Sequence, residues 1–315
     1  MTRSRWRAPL ALLLVFGLAV AVAACSSSKK SASSTTTTTI AGPTIRIAGQ
    51  DSTEDQTAAQ VYGQYLKAKG FNVDLQKPVG ARALAYDSLE AGNLDMIIDY
   101  TGSAVTHLDP TKTGTADSAA TASQLAQLLA AQKTPLVSFK YASAQDQNAL
   151  VALKTYADAN SLTTISDLSK ITGSVTLAGA PECQKRPDCL GGYNNPAVYG
   201  LHLKFLAVNY GPPLVAALQA NTVQVAQYQT TAAEIADGTI VVLTDNKGLF
   251  SADNIVPVLR KALADAYGTK LSDAIDALSA KVTTADLAAW NNGTDVKKED
   301  PADVARAWLT EKGLL

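Results

Sequence analysis

The chain has 315 residues, of which 47% are hydrophobic, 6% aromatic and only 17% charged. Lys plus Arg (27) nearly balances Asp plus Glu (28), so the net charge of −1 offers no basic footprint for nucleic acid. The apolar content argues against a mostly disordered chain, and two histidines argue against a multi-histidine metal enzyme.

Arg3, Arg5 and Arg7 precede an apolar run from Ala8 to Ala24, which Val22-Ala23-Ala24-Cys25 closes. A positive start, a short apolar core and a small-residue cleavage site read as a secretory signal over residues 1–24. The closing tetrapeptide resembles the bacterial lipobox, whose cysteine is acylated and becomes the first residue of the mature chain. A single membrane-spanning anchor is the alternative. Both place the remainder at the extracytoplasmic face of the cell membrane. Residues 25–43, rich in Ser and Thr, lack apolar periodicity and read as a flexible tether.

From Thr44 the chain alternates strands and helices. Thr44–Gly49 is a strand entering a polar loop. Ala58, Val61, Tyr62, Tyr65 and Leu66 follow at helical spacing, and Gly70 ends that helix. Phe71–Leu75 is a second strand, residues 82–91 a short helix, Asp95–Tyr100 a buried strand and Ala119–Gln132 a helix. This order predicts an α/β sheet covered on both faces. A second unit starts after Asn148, with strands at Leu150–Leu153, Val175–Gly179, Val223–Ala226 and Ile240–Leu243. Helical pattern is expected at 197–208 and 213–220, and from Pro257 to the end, where Asp300 and Pro301 open the last helix. Cys183 and Cys189, in an oxidising compartment, read as a disulfide closing a short loop, with metal binding as the alternative.

The two units echo each other. Leu89–Met96 lines up with Leu218–Val225 as helix end, turn and strand, and Tyr100 and Tyr228 follow at similar distances. Two such lobes would face each other across a cleft lined by loops at the strand ends. No phosphate-binding glycine loop and no Gly-x-Ser-x-Gly elbow occurs. Neither His107 nor His202 neighbours a nucleophile in sequence, so no enzymatic activity and no cofactor are expected. Asn292-Gly293-Thr294 matches a glycosylation sequon and reads as a turn.

Ala91-Gly92-Asn93-Leu94-Asp95 leads into Asp99-Tyr100-Thr101-Gly102-Ser103. Then come Ile165-Ser166-Asp167-Leu168, Gly179-Ala180-Pro181-Glu182, Val198-Tyr199-Gly200, Val242-Leu243-Thr244-Asp245-Asn246 and Asn254-Ile255-Val256-Pro257-Val258. In this order, over nearly all of residues 44–315, the chain resembles the substrate-binding lipoproteins of ABC importers for glycine betaine, choline and related osmoprotectants. The resemblance implies a periplasmic-binding-protein-like fold: lobe 1 from 44–146 with 252–315, lobe 2 from 147–251, and a hinge between them. It implies an aromatic box for a trimethylammonium head, which offers no hydrogen-bond donor and is held by ring faces.

Tyr100 and Tyr199 match box positions of that family. Asn148 and Asp253 stand where many members carry tyrosine, and Arg82 where some carry a smaller polar residue. Tyr141 and Tyr228 would then supply replacement faces, and a polyol, a sugar-like solute or an anion becomes an alternative ligand. Thr53 lies in a helix-capping segment whose N–H groups suit an anionic tail, and Thr230 is a polar contact or a helix cap. The implied partners are an ABC permease and its cytoplasmic ATPase, serving a monomeric, lipid-anchored receptor. A structural or adhesion lipoprotein of the same fold is the competing class.

Overall fold

The computed structural model describes residues 39–315; the leader, Cys25 and most of the tether lie outside them. Ten strands form two five-stranded sheets among the described residues. In chain order they are β1 (Ile45–Ala48), β2 (Val73–Leu75), β3 (Met96–Tyr100), β4 (Leu136–Ser138), β5 (Asn148–Leu153), β6 (Thr176–Gly179), β7 (Lys204–Ala207), β8 (Val225–Gln229), β9 (Ile240–Leu243) and β10 (Ile255–Arg260). The first sheet has the order β2-β1-β3-β10-β4 and the second β7-β6-β8-β5-β9. Within each, the first three strands are parallel and the last two pair antiparallel.

The echo read in the sequence is therefore a topological one: β3 and β8 are the middle strands of their sheets. Helix Arg82–Glu90 precedes β3 as helix Pro212–Gln219 precedes β8. Both helices stop at a left-handed residue one place beyond the cap, Gly92 at φ +74° and Asn221 at φ +53°. Glycine and asparagine tolerate that conformation, and it frees the chain to turn into a strand.

Helix α1 (Thr53–Ala68) starts where Ser52 Oγ accepts the Asp55 N–H at 3.0 Å. Its buried face, including Ala58, Val61, Tyr62 and Leu66, packs in one core with Ile45, Ile47 and Met96 of the sheet. The C-terminal helix Pro301–Glu311 lies along α1 in the same core, anchored by an edge-to-face pair of Trp290 and Trp308 with centroids 5.3 Å apart.

Two stretches differ from expectation. Residues 197–208 are not helical. Gly200 sits at φ +62°, and Lys204–Ala207 forms the edge strand β7, pairing in parallel with β6. Most of its side chains are exposed, so no alternation betrays the strand. The segment around Pro257 is β10, an inner strand. The Pro257 carbonyl accepts the Phe139 N–H at 3.1 Å just past the end of β4, so the missing proline donor faces that short neighbour and costs the β3 ladder nothing.

Two segments cross between the sheets, one joining β4 to β5 and the other β9 to β10. Gln145 bridges Asn254 antiparallel, and Gln147 Nε2 donates to the Ser251 carbonyl at 2.7 Å. Thr230 is neither a helix cap nor part of the cavity described below. Its Oγ accepts the Gln147 N–H (2.9 Å) and donates to the Gln145 carbonyl (2.8 Å), tying the end of β8 to the crossing.

Candidate functional site

A cavity of about 730 Å³ lies between the carboxyl ends of the two middle strands. Each wall begins with a local rule. The N-terminus of α1 carries Thr53, Glu54 and Asp55 in its first turn, where acidic side chains complement the helix dipole. Tyr100 ends β3, and helix α2 (Thr101–Leu108) starts directly after it. Asp253, on the second crossing segment, caps that helix: Oδ1 accepts from Gly102 N (2.8 Å) and Ser103 N (2.9 Å), and Oδ2 from Ser103 Oγ (2.7 Å). Gly102 is required there, because a Cβ would stand 2.6 Å from the Ala252 carbonyl oxygen.

Glu54 is buried, and the Tyr100 hydroxyl donates to its Oε1. Asn291 Nδ2 donates both to Glu54 Oε2 and, at 2.9 Å, to the Thr231 carbonyl after β8. Asn291 thus ties α1 to the second sheet. It stands at the end of helix Thr284–Asn291, just before a π-helical turn at Asn292–Val296. That turn corrects the sequon reading: the segment continues a helix. Asp146, on the first crossing segment, accepts from Thr231 Oγ (2.9 Å) and Gln229 Nε2 (3.2 Å).

On the opposite wall the rings of Tyr210 and Tyr228 stack, with centroids 4.8 Å apart at 21°. The Tyr210 hydroxyl donates to Gln229 Oε1 at 2.5 Å, and that of Tyr228 reaches the Glu234 carboxylate at 3.3 Å. Arg82 reaches into the cavity from the first sheet's side. Its Nε donates to Asp99 at 2.9 Å, and Asp99, fully buried, also takes the Tyr86 hydroxyl at 3.0 Å.

Six carboxylates line this cavity (Glu54, Asp55, Asp146, Glu234, Asp253 and Asp295) against two cations, Arg82 and Lys298. Burial disfavours the charged form of several. It pushes Asp55 up to about 7 and Asp253 to about 6, and it raises Glu54 and Asp146 as well. Neighbouring carboxylates add to the effect of burial, Asp99 and Glu54 on Asp55 and Glu54 on Asp146, while Arg82 opposes it at Asp55 and Asp253. A cation placed among these carboxylates would favour their ionised forms.

Of the residues singled out in the sequence, Thr53, Arg82, Tyr100, Asn148, Tyr228 and Asp253 all line the cavity. Tyr199 and Tyr141 do not. Tyr199 is buried in the core of the second sheet beside Tyr193, its hydroxyl bound to Asp245, because the turn at Gly200 folds it inward. Tyr141 is half-buried against the core behind β3 and β10. Cys183 and Cys189 are joined by a disulfide, with Cα atoms 5.3 Å apart. The sequence reading missed Glu54, Asp146, Tyr210 and Asn291. Glu54 reads locally as an ordinary first-turn acid, and Tyr210 before Gly211-Pro212-Pro213 as a turn residue.

A family model described as the substrate binding domain of ABC-type glycine betaine transport system matches residues 43–311. A glycine-betaine-binding protein of Pseudomonas aeruginosa is 29% identical over 286 residues, covering 86% of this chain and 89% of the relative. Two solved structures share the fold at a TM-score of 0.77 and 21% identity, each covering 86% of this chain and 99% of its own. One is described as a glycine betaine/carnitine/choline ABC transporter, the other as apo YehZ from Escherichia coli.

Proposed function

The chain belongs to the family of substrate-binding domains of ABC-type glycine betaine transport systems, and on that premise we propose that its cleft captures a small trimethylammonium solute. One observation carries this reading. Tyr100 from one sheet and Tyr228 from the other line a single cavity whose walls hold six carboxylates. A quaternary nitrogen has no N–H to donate, so ring faces and the field of nearby carboxylates are what hold it.

Lobes corresponding to residues 44–146 with 252–315 and to 147–251 close on the solute and present it to an ABC permease driven by a cytoplasmic ATPase. The protein works as a monomer at the extracytoplasmic face of the cell membrane, held by a lipid on Cys25. The basis for this anchorage is the leader, with its three arginines, its apolar run and Val22-Ala23-Ala24-Cys25.

Thermal unfolding of the purified protein against choline, glycine betaine, carnitine, polyols, sugars and amino acids tests the ligand class. A solute at a hundred times its Kd adds about 2.7 kcal/mol of stability. Stabilisation by the trimethylammonium compounds alone is the expected result. A response confined to polyols or sugars would replace the ligand and keep the receptor.

A further inference from the structure

A second cavity of about 580 Å³ adjoins the first and shares Arg82, Ser103, Asn148 and Asp253 with it. The disulfide loop between Cys183 and Cys189 carries Arg186 and Asp188 to its wall. Asn148 Nδ2 holds this loop against the start of β5 by donating to Asp188 Oδ2 at 3.0 Å. The two chambers differ in the polar groups left over once internal pairs are counted.

In the first chamber, whose cations are Lys298 and the shared Arg82, the buried atoms left without a partner are acceptors. Asp55 Oδ1 and Asn291 Oδ1 are buried without a hydrogen-bond partner, beside the carboxylates already described. In the second the surplus is donors. Arg82 commits only Nε to Asp99, and Arg186 commits Nε and Nη2 to Asp188 at 2.9 and 2.5 Å. Among the described residues this leaves both Nη groups of Arg82 and Nη1 of Arg186 open to a ligand. Gln227, 9% exposed, adds a buried Nε2 with no partner in an adjoining recess that Arg186 also lines. Asp253, the one carboxylate shared by both chambers, already accepts three hydrogen bonds from Gly102 and Ser103.

We propose that this donor-rich chamber is a second subsite, for a phosphate group, and that the cleft takes a free choline phosphoester. The assignment rests on the trimethylammonium reading above and extends it. Guanidinium groups from the helix before β3 and from the disulfide loop after β6 both line the chamber, and such forks match the several oxygens of a phosphate better than a point charge does. Spacing favours the same ligand. Betaine's carboxylate is one methylene from its nitrogen and cannot place its two charges in separate chambers. A phosphocholine group spaces them by two carbons and an oxygen.

Titration calorimetry on the purified protein near neutral pH compares phosphocholine with choline. Phosphocholine is expected to bind about tenfold more tightly or better. Arg186→Gln is expected to bring that ratio to within about threefold of unity. Circular dichroism of the variant confirms its fold. Equal affinities in the wild-type protein, or a ratio unchanged in Arg186→Gln, would overturn the subsite while leaving the proposed function intact. Binding of no trimethylammonium compound at all would overturn both. Glycerophosphocholine and phosphatidylcholine vesicles separate the sources of the group: competition by the soluble ester supports a free solute, and competition by vesicles alone overturns it.

Discussion

Tyr100, the last residue of β3, and Tyr228, the last but one of β8, stand near the ends of the two middle strands and line the same cavity. Both hydroxyls are held by a glutamate. Tyr100 is held by Glu54 and Tyr228 by Glu234, so each ring is fixed by a glutamate at its tip. Each side of the cavity therefore carries a tyrosine ring and a glutamate, Glu54 from the helix after β1 and Glu234 from the short helix after β8.

Replacing Tyr228 with alanine removes one face without touching the buried Glu54 pair. A cation–π contact that is partly desolvated contributes about 1–2 kcal/mol, so choline affinity is expected to fall about tenfold. Tyr228→Phe keeps the ring and is expected to retain most of the affinity. Calorimetry on both variants checks this, and an unchanged Kd in the alanine variant removes Tyr228 from the site.

The buried acids make binding proton-linked. Asp55 at about 7 and Asp253 at about 6 lie above the ordinary carboxylate value near 4. Their folded pKa exceeds the unfolded one, so between about pH 4 and 7 the folded state binds more protons. The contribution of these two groups to the stability of the free protein therefore rises as pH falls through that window. A bound cation favours the ionised form and reverses the preference. Choline affinity is expected to weaken from about pH 7.5 to 5, with protons released on binding. Calorimetry in buffers of different ionisation enthalpy measures the release, and identical heats in all of them would contradict it.

Asp253 is as much a helix cap as a cavity wall. Asp253→Ala leaves Gly102 N, Ser103 N and Ser103 Oγ without their acceptor. The expected loss is about 1–2 kcal/mol in urea unfolding. Asp253→Asn, which keeps one acceptor oxygen, is expected to lose less. Equal stability of all three proteins would show that water replaces the cap.

The disulfide loop positions Arg186 and Asp188. Cys183→Ala with Cys189→Ala is expected to cost about 2 kcal/mol of stability, since the loop it closes is short. The same variant frees the loop and is expected to weaken phosphocholine more than choline. A unfolding midpoint unmoved by the double substitution would argue that the loop is ordered by Asn148 and Asp188 alone.

Much of the architecture was legible because it follows from local period. The buried face of α1, the helices that end at Gly92 and Asn221, and the strands that follow them all repeat at helix or strand spacing. β7 and β10 were not legible. Exposed side chains erase the alternation of β7, and Pro257 argues locally against an inner strand that it occupies because its missing donor faces the end of β4. Tyr199 and Tyr210 show the same limit for the site. Of the two tyrosines that matched the family pattern, Tyr199 is folded into a core, while Tyr210, which no sequence pattern marked, stacks at the cavity wall.

By itself the sequence carried the α/β class, an echo between two units, and the expectation of a leader and of a disulfide between Cys183 and Cys189. These depend on periodicity, composition and short spacing, which the chain carries residue by residue. Only the tertiary structure decided which side chains meet. Glu54, Asp146, Glu234, Asp253 and Asn291 come from five separate stretches, and each alone is an ordinary cap, loop or surface residue. Sheet pairing and the two crossing segments bring them within one cavity, where burial raises the carboxyls of Glu54, Asp146 and Asp253.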